Sequence, residues 1–301
     1  MKQYILITIV LSALLVGCAS QKIDSHPQEL SNVTLAVDLM RNASAAEDKF
    51  SIEYDLAIAD DLDSNVKVNR AVGGNANARQ DLDILSQSLN ELDMLPDGTS
   101  QNYSDTISAI RNCVAASNET IAPYIQVLDN ALKYDSRENL TLVWDDYSNN
   151  GTYVIDTEFN AVDARNSTAV NNSIDKAIAD YEQMIAISNQ QNQIYHLNAD
   201  DAYIKWETAY IASLKNWEAY FANPYSPDSI AFMKNEQQMD ADIATLHKAA
   251  TDTYSDENEA WRDANIVQLD DNISSMDVGV GSKCQLARQT MKDKFDVAIV
   301  I

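Results

Sequence analysis

Residues 199–222, ADDAYIKWETAYIASLKNWEAYFA, decide the fold. Tyr203, Trp206, Tyr210, Leu214, Trp217 and Phe221 follow one another at intervals of three or four, and Ile204 and Ile211 widen the same face. That spacing returns an apolar side chain to one side of an α-helix at every turn. Asn198 ahead of Asp200 and Asp201 reads as an N-cap with acids in the first turn, where they meet the positive end of the helix dipole. Asn223-Pro224-Tyr225-Ser226-Pro227 ends the pattern, and Asp228 can cap the helix that follows.

The same rhythm runs outward in both directions. Ala78, Leu82, Leu85, Leu89 and Leu92 form one stripe over 76–95, and Pro96-Asp97-Gly98 stops it. Ile107, Ile110, Val114, Ile121 and Leu128 form another over 104–134, where Pro123 is expected to kink or restart the helix. Ile174, Ile178, Tyr181 and Ile185 mark a helix within 161–196, and further helices are expected over 229–275 and 282–296. Short loops between long helices favour antiparallel neighbours. The expected architecture is therefore mainly α, an elongated antiparallel helical bundle. Composition agrees: 7 glycines and 5 prolines in 301 residues leave too few tight turns for a hairpin-rich sheet or a dinucleotide-binding α/β domain.

Two segments carry a competing period. Phe50, Ile52, Tyr54, Leu56 and Ile58 alternate as a strand does, but Val33, Val37 and Met40 fit a helical stripe and 43–49 is rich in helix formers, so helix is favoured for 30–63. Residues 140–158 read equally as helix or as a minor β hairpin around Asn150-Gly151.

Charge narrows the function classes. There are 46 acidic and 21 basic side chains, net −25, and 33 of the acids are aspartate. Such a chain repels nucleic acid and anionic headgroups and draws a diffuse cloud of cations. The three histidines, His26, His196 and His247, form no zinc-ligand spacing. Asp61, Asp63 and Asn65 begin like a calcium loop, but Val66 stands where glycine is needed and Val72 where the bidentate glutamate belongs. No nucleophile elbow, P-loop or glycine-rich dinucleotide motif is present. The sequence thus assigns no catalytic residue, no metal ligand and no cofactor. Tyr220 and Tyr225 fall off the apolar stripe and are the candidate ligand contacts.

The N-terminus carries the one sharp motif. Lys2 precedes an apolar run from Ile5 to Val16 that is too short for a stable membrane span, and the run closes on Leu15-Val16-Gly17-Cys18. This resembles the lipobox of prokaryotic lipoproteins at all four positions. The resemblance implies cleavage before Cys18, a diacylglyceryl chain on its sulfur, and a mature protein outside the cytoplasm with the membrane as partner through that lipid. It implies the outer membrane if the cell is Gram-negative, since Ala19 is not an aspartate. The organisation expected is a signal peptide over 1–17, the lipidated cysteine and a polar tether over 18–28, and one helical-bundle domain over 29–301.

Two further features fit that location. Cys113 and Cys284 are an even pair of cysteines beyond the anchor, a candidate disulfide in an oxidising compartment. Nine sequons, at Asn32, Asn42, Asn102, Asn118, Asn139, Asn150, Asn166, Asn171 and Asn272, are candidate N-glycosylation sites. Acidic, sequon-rich and lipid-anchored, the chain looks like an archaeal cell-surface protein. The function expected is structural or interactive at the cell surface, without catalysis and with an envelope protein as partner. The alternative is an extracytoplasmic ligand-binding module with a pocket between helices.

Overall fold

The computed structural model describes residues 27–159 and 166–297, and every regular element among them is helical. α1 spans Pro27–Ala57, α2 Asn65–Asp93 and α3 Gln101–Tyr153, which continues as a π-helical turn over Val154–Phe159. α4 spans Ser167–Ile194 and α5 Asn198–Ala222. α6, Pro227–Arg262, runs through a second π-helical turn, Asp263–Val267, into α7, Gln268–Phe295. The fold is mainly α, a helical bundle.

The hairpin alternative for 140–158 is corrected: α3 and its π-helical turn cover the whole segment. Asn150 does not turn the chain; its amide donates to Asp180 Oδ2 at 2.6 Å. Gly151 is buried, and a Cβ there would stand 3.3 Å from the Tyr181 ring. Its lack of a side chain lets α3 approach α4 closely, a packing use that mimics a turn signal in sequence. The alternation in α1 has a similar cause: Phe50, Tyr54 and Ala57 are buried at helical spacing, whereas Ile52 is 65% exposed. Pro123 lies inside α3, which runs on past it. The expected helix over 282–296 is the end of the longer α7, and Gly279 and Gly281 lie within that helix rather than breaking it.

The described chain forms two compact units. One takes the residues up to 60, residues 69–132 and those from 264 on; the other takes 61–68 and 133–263. The first is built on α1, most of α2, the front of α3 and α7. Its core joins Val33, Val37 and Met40 of α1 to Leu89 and Leu92, to Ile107, Ile110 and Val114, and to Met291 and Phe295. Each such side chain contributes about 1.5–3 kcal/mol when fully buried. Glu29 ties the start of α1 to the α2–α3 loop: its Oε1 accepts from the Thr99 and Ser100 amides at 2.8 and 3.0 Å, satisfying donors just ahead of α3. The second unit packs the rest of α3 with α4, α5 and α6 around Ile174, Tyr181, Met184, Trp206, Leu214 and Ile243.

Candidate functional site

The aromatic stripe of α5 is spent mostly on packing in the second unit. Trp206 and Leu214 are buried, and Tyr203, Tyr210, Trp217 and Phe221 are partly buried against the same cluster. Trp144 meets Tyr203 edge-on at 5.2 Å, and Tyr181 stacks on Tyr210 at 4.5 Å, arrangements that aromatic quadrupoles favour. Glu207 lies fully buried among these rings. Its Oε1 accepts from Trp144 Nε1 at 2.7 Å and from Ser188 Oγ at 3.0 Å, while Oε2 has no hydrogen-bond partner. Burial pushes its carboxyl up to about 7, against the pull of those two donors. Sequence reading passed over Glu207, although a position four residues from both Tyr203 and Ile211 places an acid on the apolar face.

A second buried charge closes the α4–α5 junction. Arg137 is completely buried; its Nη1 donates to Asp200 Oδ2 at 3.0 Å and to the Tyr195 carbonyl at 3.1 Å, and its Nη2 donates to Asp200 Oδ1. The guanidinium lies 4.7 Å from the centre of the Tyr195 ring and 5.5 Å from that of Tyr254. Asp200 Oδ2 also accepts the Leu197 amide at 3.1 Å, so one carboxylate both caps α5 and holds the arginine. The expected capping role of Asn198 differs in detail. Leu197 occupies the N-cap, and Glu257 reaches from α6 to accept from the Ala199 amide at 3.0 Å and the Asn198 side chain at 2.8 Å. Two residues before Arg137, Asp135 is 1% exposed with no hydrogen bond to either oxygen. Burial first, and then Glu138, push its carboxyl up to about 7.

The first unit holds a comparable set. Tyr54 donates to Asp270 at 2.9 Å and Tyr124 to Asp277 at 2.7 Å; the two rings meet edge-on at 5.1 Å, and Phe50 packs on both at 5.2 and 4.8 Å. Burial, then Asp277, push Glu47 up to about 7, while Arg288 pulls it back. Burial also raises Asp270 and Asp277.

These carboxyls set the direction of pH dependence. Glu47, Asp135 and Glu207 each hold a proton more tightly folded than in the unfolded chain, where such groups titrate near roughly 4. The stability they contribute is complete below the unfolded value and is lost as pH rises through about 7. We expect the fold to be more stable at pH 5 than at pH 8, by roughly 2–3 kcal/mol per group, and its thermal midpoint to be higher at pH 5. A midpoint that climbs over that interval at constant ionic strength contradicts the prediction.

The predicted site residues disperse. Cys18 lies outside the described residues. Cys113 of α3 and Cys284 of α7 meet as a disulfide in the first unit, their Cα atoms 4.6 Å apart. Tyr220 is half-buried against the Trp217 and Phe221 rings at 5.9 and 5.3 Å, and Tyr225 is 90% exposed in the α5–α6 turn. Asn42, Asn102, Asn118, Asn139, Asn150, Asn166 and Asn272 are exposed, and Asn32 and Asn171 are half-buried. Asn166 is the N-cap of α4, its Oδ1 accepting from the Ala169 amide at 3.2 Å; the other eight lie within helices. Among the described residues no group of three or more His, Cys, Asp or Glu side chains is placed to hold a metal ion, and no helix is long and apolar enough to cross a membrane. No family model matches the chain, and neither do the curated proteins or the solved structures with which it was compared.

Proposed function

We propose that the chain is a lipid-anchored extracytoplasmic helical protein with a structural or interaction role at the cell surface and no catalytic activity. The observation that carries this reading is Leu15-Val16-Gly17-Cys18 after a charged start and a short apolar run. The Cys113–Cys284 disulfide supports it, since such bonds persist in oxidising compartments. The net charge of −25 supports it as well, leaving acyl chains rather than basic side chains to hold the molecule on a membrane. The envelope partner of this reading is a protein rather than a nucleic acid. Glycans belong first on Asn102, in the opening turn of α3, and on Asn166, at the head of α4, because acceptor sequons lie on surface segments and both are exposed where a helix begins.

Intact mass measurement of protein extracted in detergent from its own cells tests the reading. The expected species lacks residues 1–17 and carries a diacylglyceryl group on Cys18, with any hexose-bearing peptides mapping to Asn102 or Asn166. A chain that retains Met1, or an unmodified Cys18, overturns the anchor. A turnover activity that copurifies with the chain and disappears on its removal overturns the non-catalytic role.

A further inference from the structure

A surface groove lies between α1 and α2 in the first unit, away from every residue assigned above except Asn42. It consists of two hollows of about 340 and 240 Å³ that meet at Lys49 and Asp81. It runs from Leu39 and Glu91 at one end to Glu53 and Asn77 at the other, a length of roughly 20 Å along α1 at the helical rise per residue. The groove exists because α1 presents Ala45 and Ala46 where longer side chains would fill the space. Its floor is buried and sparse: Leu39, Ala46 and Ser88 are 6%, 5% and 7% exposed.

The chemistry of the rim selects an occupant. Side-chain amides stand at both ends, Asn42 and Gln87 at one and Asn77 and Gln80 at the other. Each amide both donates and accepts. That pairing suits a backbone whose N–H and C=O groups are unmet, as in an extended strand, and not a helix, whose groups bond to one another. At roughly 3.3 Å per residue, about six extended residues fit the length. Lys49 stands alone against Glu53, Asp81 and Glu91, so the lining carries two net negative charges. Asn77 already donates to Glu53 at 3.1 Å, and Gln87 to Glu91 at 3.0 Å; both donors are exposed and free to exchange partners.

We propose that this groove binds an extended, cationic peptide segment of a partner protein. The proposal stands on the groove itself and is independent of the lipid on Cys18, which intact mass reads separately.

Isothermal titration of the full-length protein with two blocked hexapeptides, alternating alanine–lysine and alternating alanine–glutamate, tests it at physiological salt. The lysine peptide is expected to bind and the glutamate peptide not. Ala45→Trp places a large ring in the hollow from an exposed position, and is expected to weaken binding at least about tenfold while the far-ultraviolet spectrum stays unchanged. Asp81→Lys, at a half-buried position of α2 on the opposite wall, is expected to weaken it similarly. Absence of binding overturns the proposal. So does equal binding by Ala45→Trp, which would mark diffuse attraction to an acidic chain, or preferential binding of a preformed lysine-rich helix.

Discussion

Replacing Arg137 by methionine is expected to destabilise the second unit by about 3–5 kcal/mol, because it leaves the Asp200 carboxylate buried without its counter-charge. Arg137 and Asp200 are 0% and 1% exposed, so water cannot take over the lost bonds. Asp200 would keep only the Leu197 amide, and the Tyr195 carbonyl would lose its arginine donor. Methionine nearly preserves the volume, so the loss reports charge rather than a cavity. All four tryptophans, at 144, 206, 217 and 261, belong to this unit, so urea unfolding followed by tryptophan fluorescence reads it alone. The double variant Arg137→Met/Asp200→Leu is expected to recover much of the loss, since removing both charges also removes the desolvation they require. An unmoved midpoint in the single variant would mean that the pair makes no net contribution.

The contrast between this pair and the helices around it explains what the sequence discloses. Helical periodicity is local: Leu82, Leu89 and Leu92 declare their shared face without reference to any partner, and all three are buried. The core of each unit was legible for that reason, and so was the cysteine pair, where an even count in an expected oxidising compartment left one pairing. Arg137 and Asp200 are separated by 63 residues, and although Asp200 declares itself as a first-turn acid of α5, nothing local pairs it with Arg137 or marks either as buried. Composition misleads in the same way, since 46 acids conceal the few that are buried. Glu207 is the intermediate case: its place on the stripe was visible, but its partners Trp144 and Ser188 come from other helices.

Glycine was misread for a related reason. Asn150-Gly151 offers a turn because free glycine favours turns, and Gly74 in α2 carries the same ambiguity. In the folded chain a Cβ on Gly74 would stand 2.8 Å from the Glu53 carbonyl oxygen and from Leu56 Cβ, so glycine there permits α1 and α2 to touch. A helix interior tolerates the conformational cost of about 1 kcal/mol when close packing compensates. In a chain with 7 glycines, one given up to packing removes a large share of the turn signal. The α1–α2 groove was not legible at all, since Ala45 and Ala46 read as helix formers and the hollow beside them depends on α2.

Removing the disulfide is expected to have the larger effect. Cys113 and Cys284 are 171 residues apart in sequence, and closing a loop of that length withdraws about 5 kcal/mol of chain entropy from the unfolded state. Single domains are stable by about 5–15 kcal/mol, so the bond accounts for a third or more of what the first unit has. The double variant Cys113→Ala/Cys284→Ala is the appropriate test, because alanine leaves no unmet hydroxyl in a core where both positions are under 8% exposed. The Ser117 hydroxyl, 3.9 Å from Cys284 Sγ, already donates to the Cys113 carbonyl and needs no new partner. Hydrogen exchange of peptides from α1 and α7 reads the outcome: their slowest amides should exchange roughly three to four orders of magnitude faster, the equivalent of the lost free energy at about 1.4 kcal/mol per tenfold. Reductant added to the native protein should act slowly, since both cysteines are buried until the unit opens. Unchanged exchange in the double variant would show that Val33, Ile110 and Met291 and their neighbours hold α1, α3 and α7 together unaided, and the entropic account of the staple would fail.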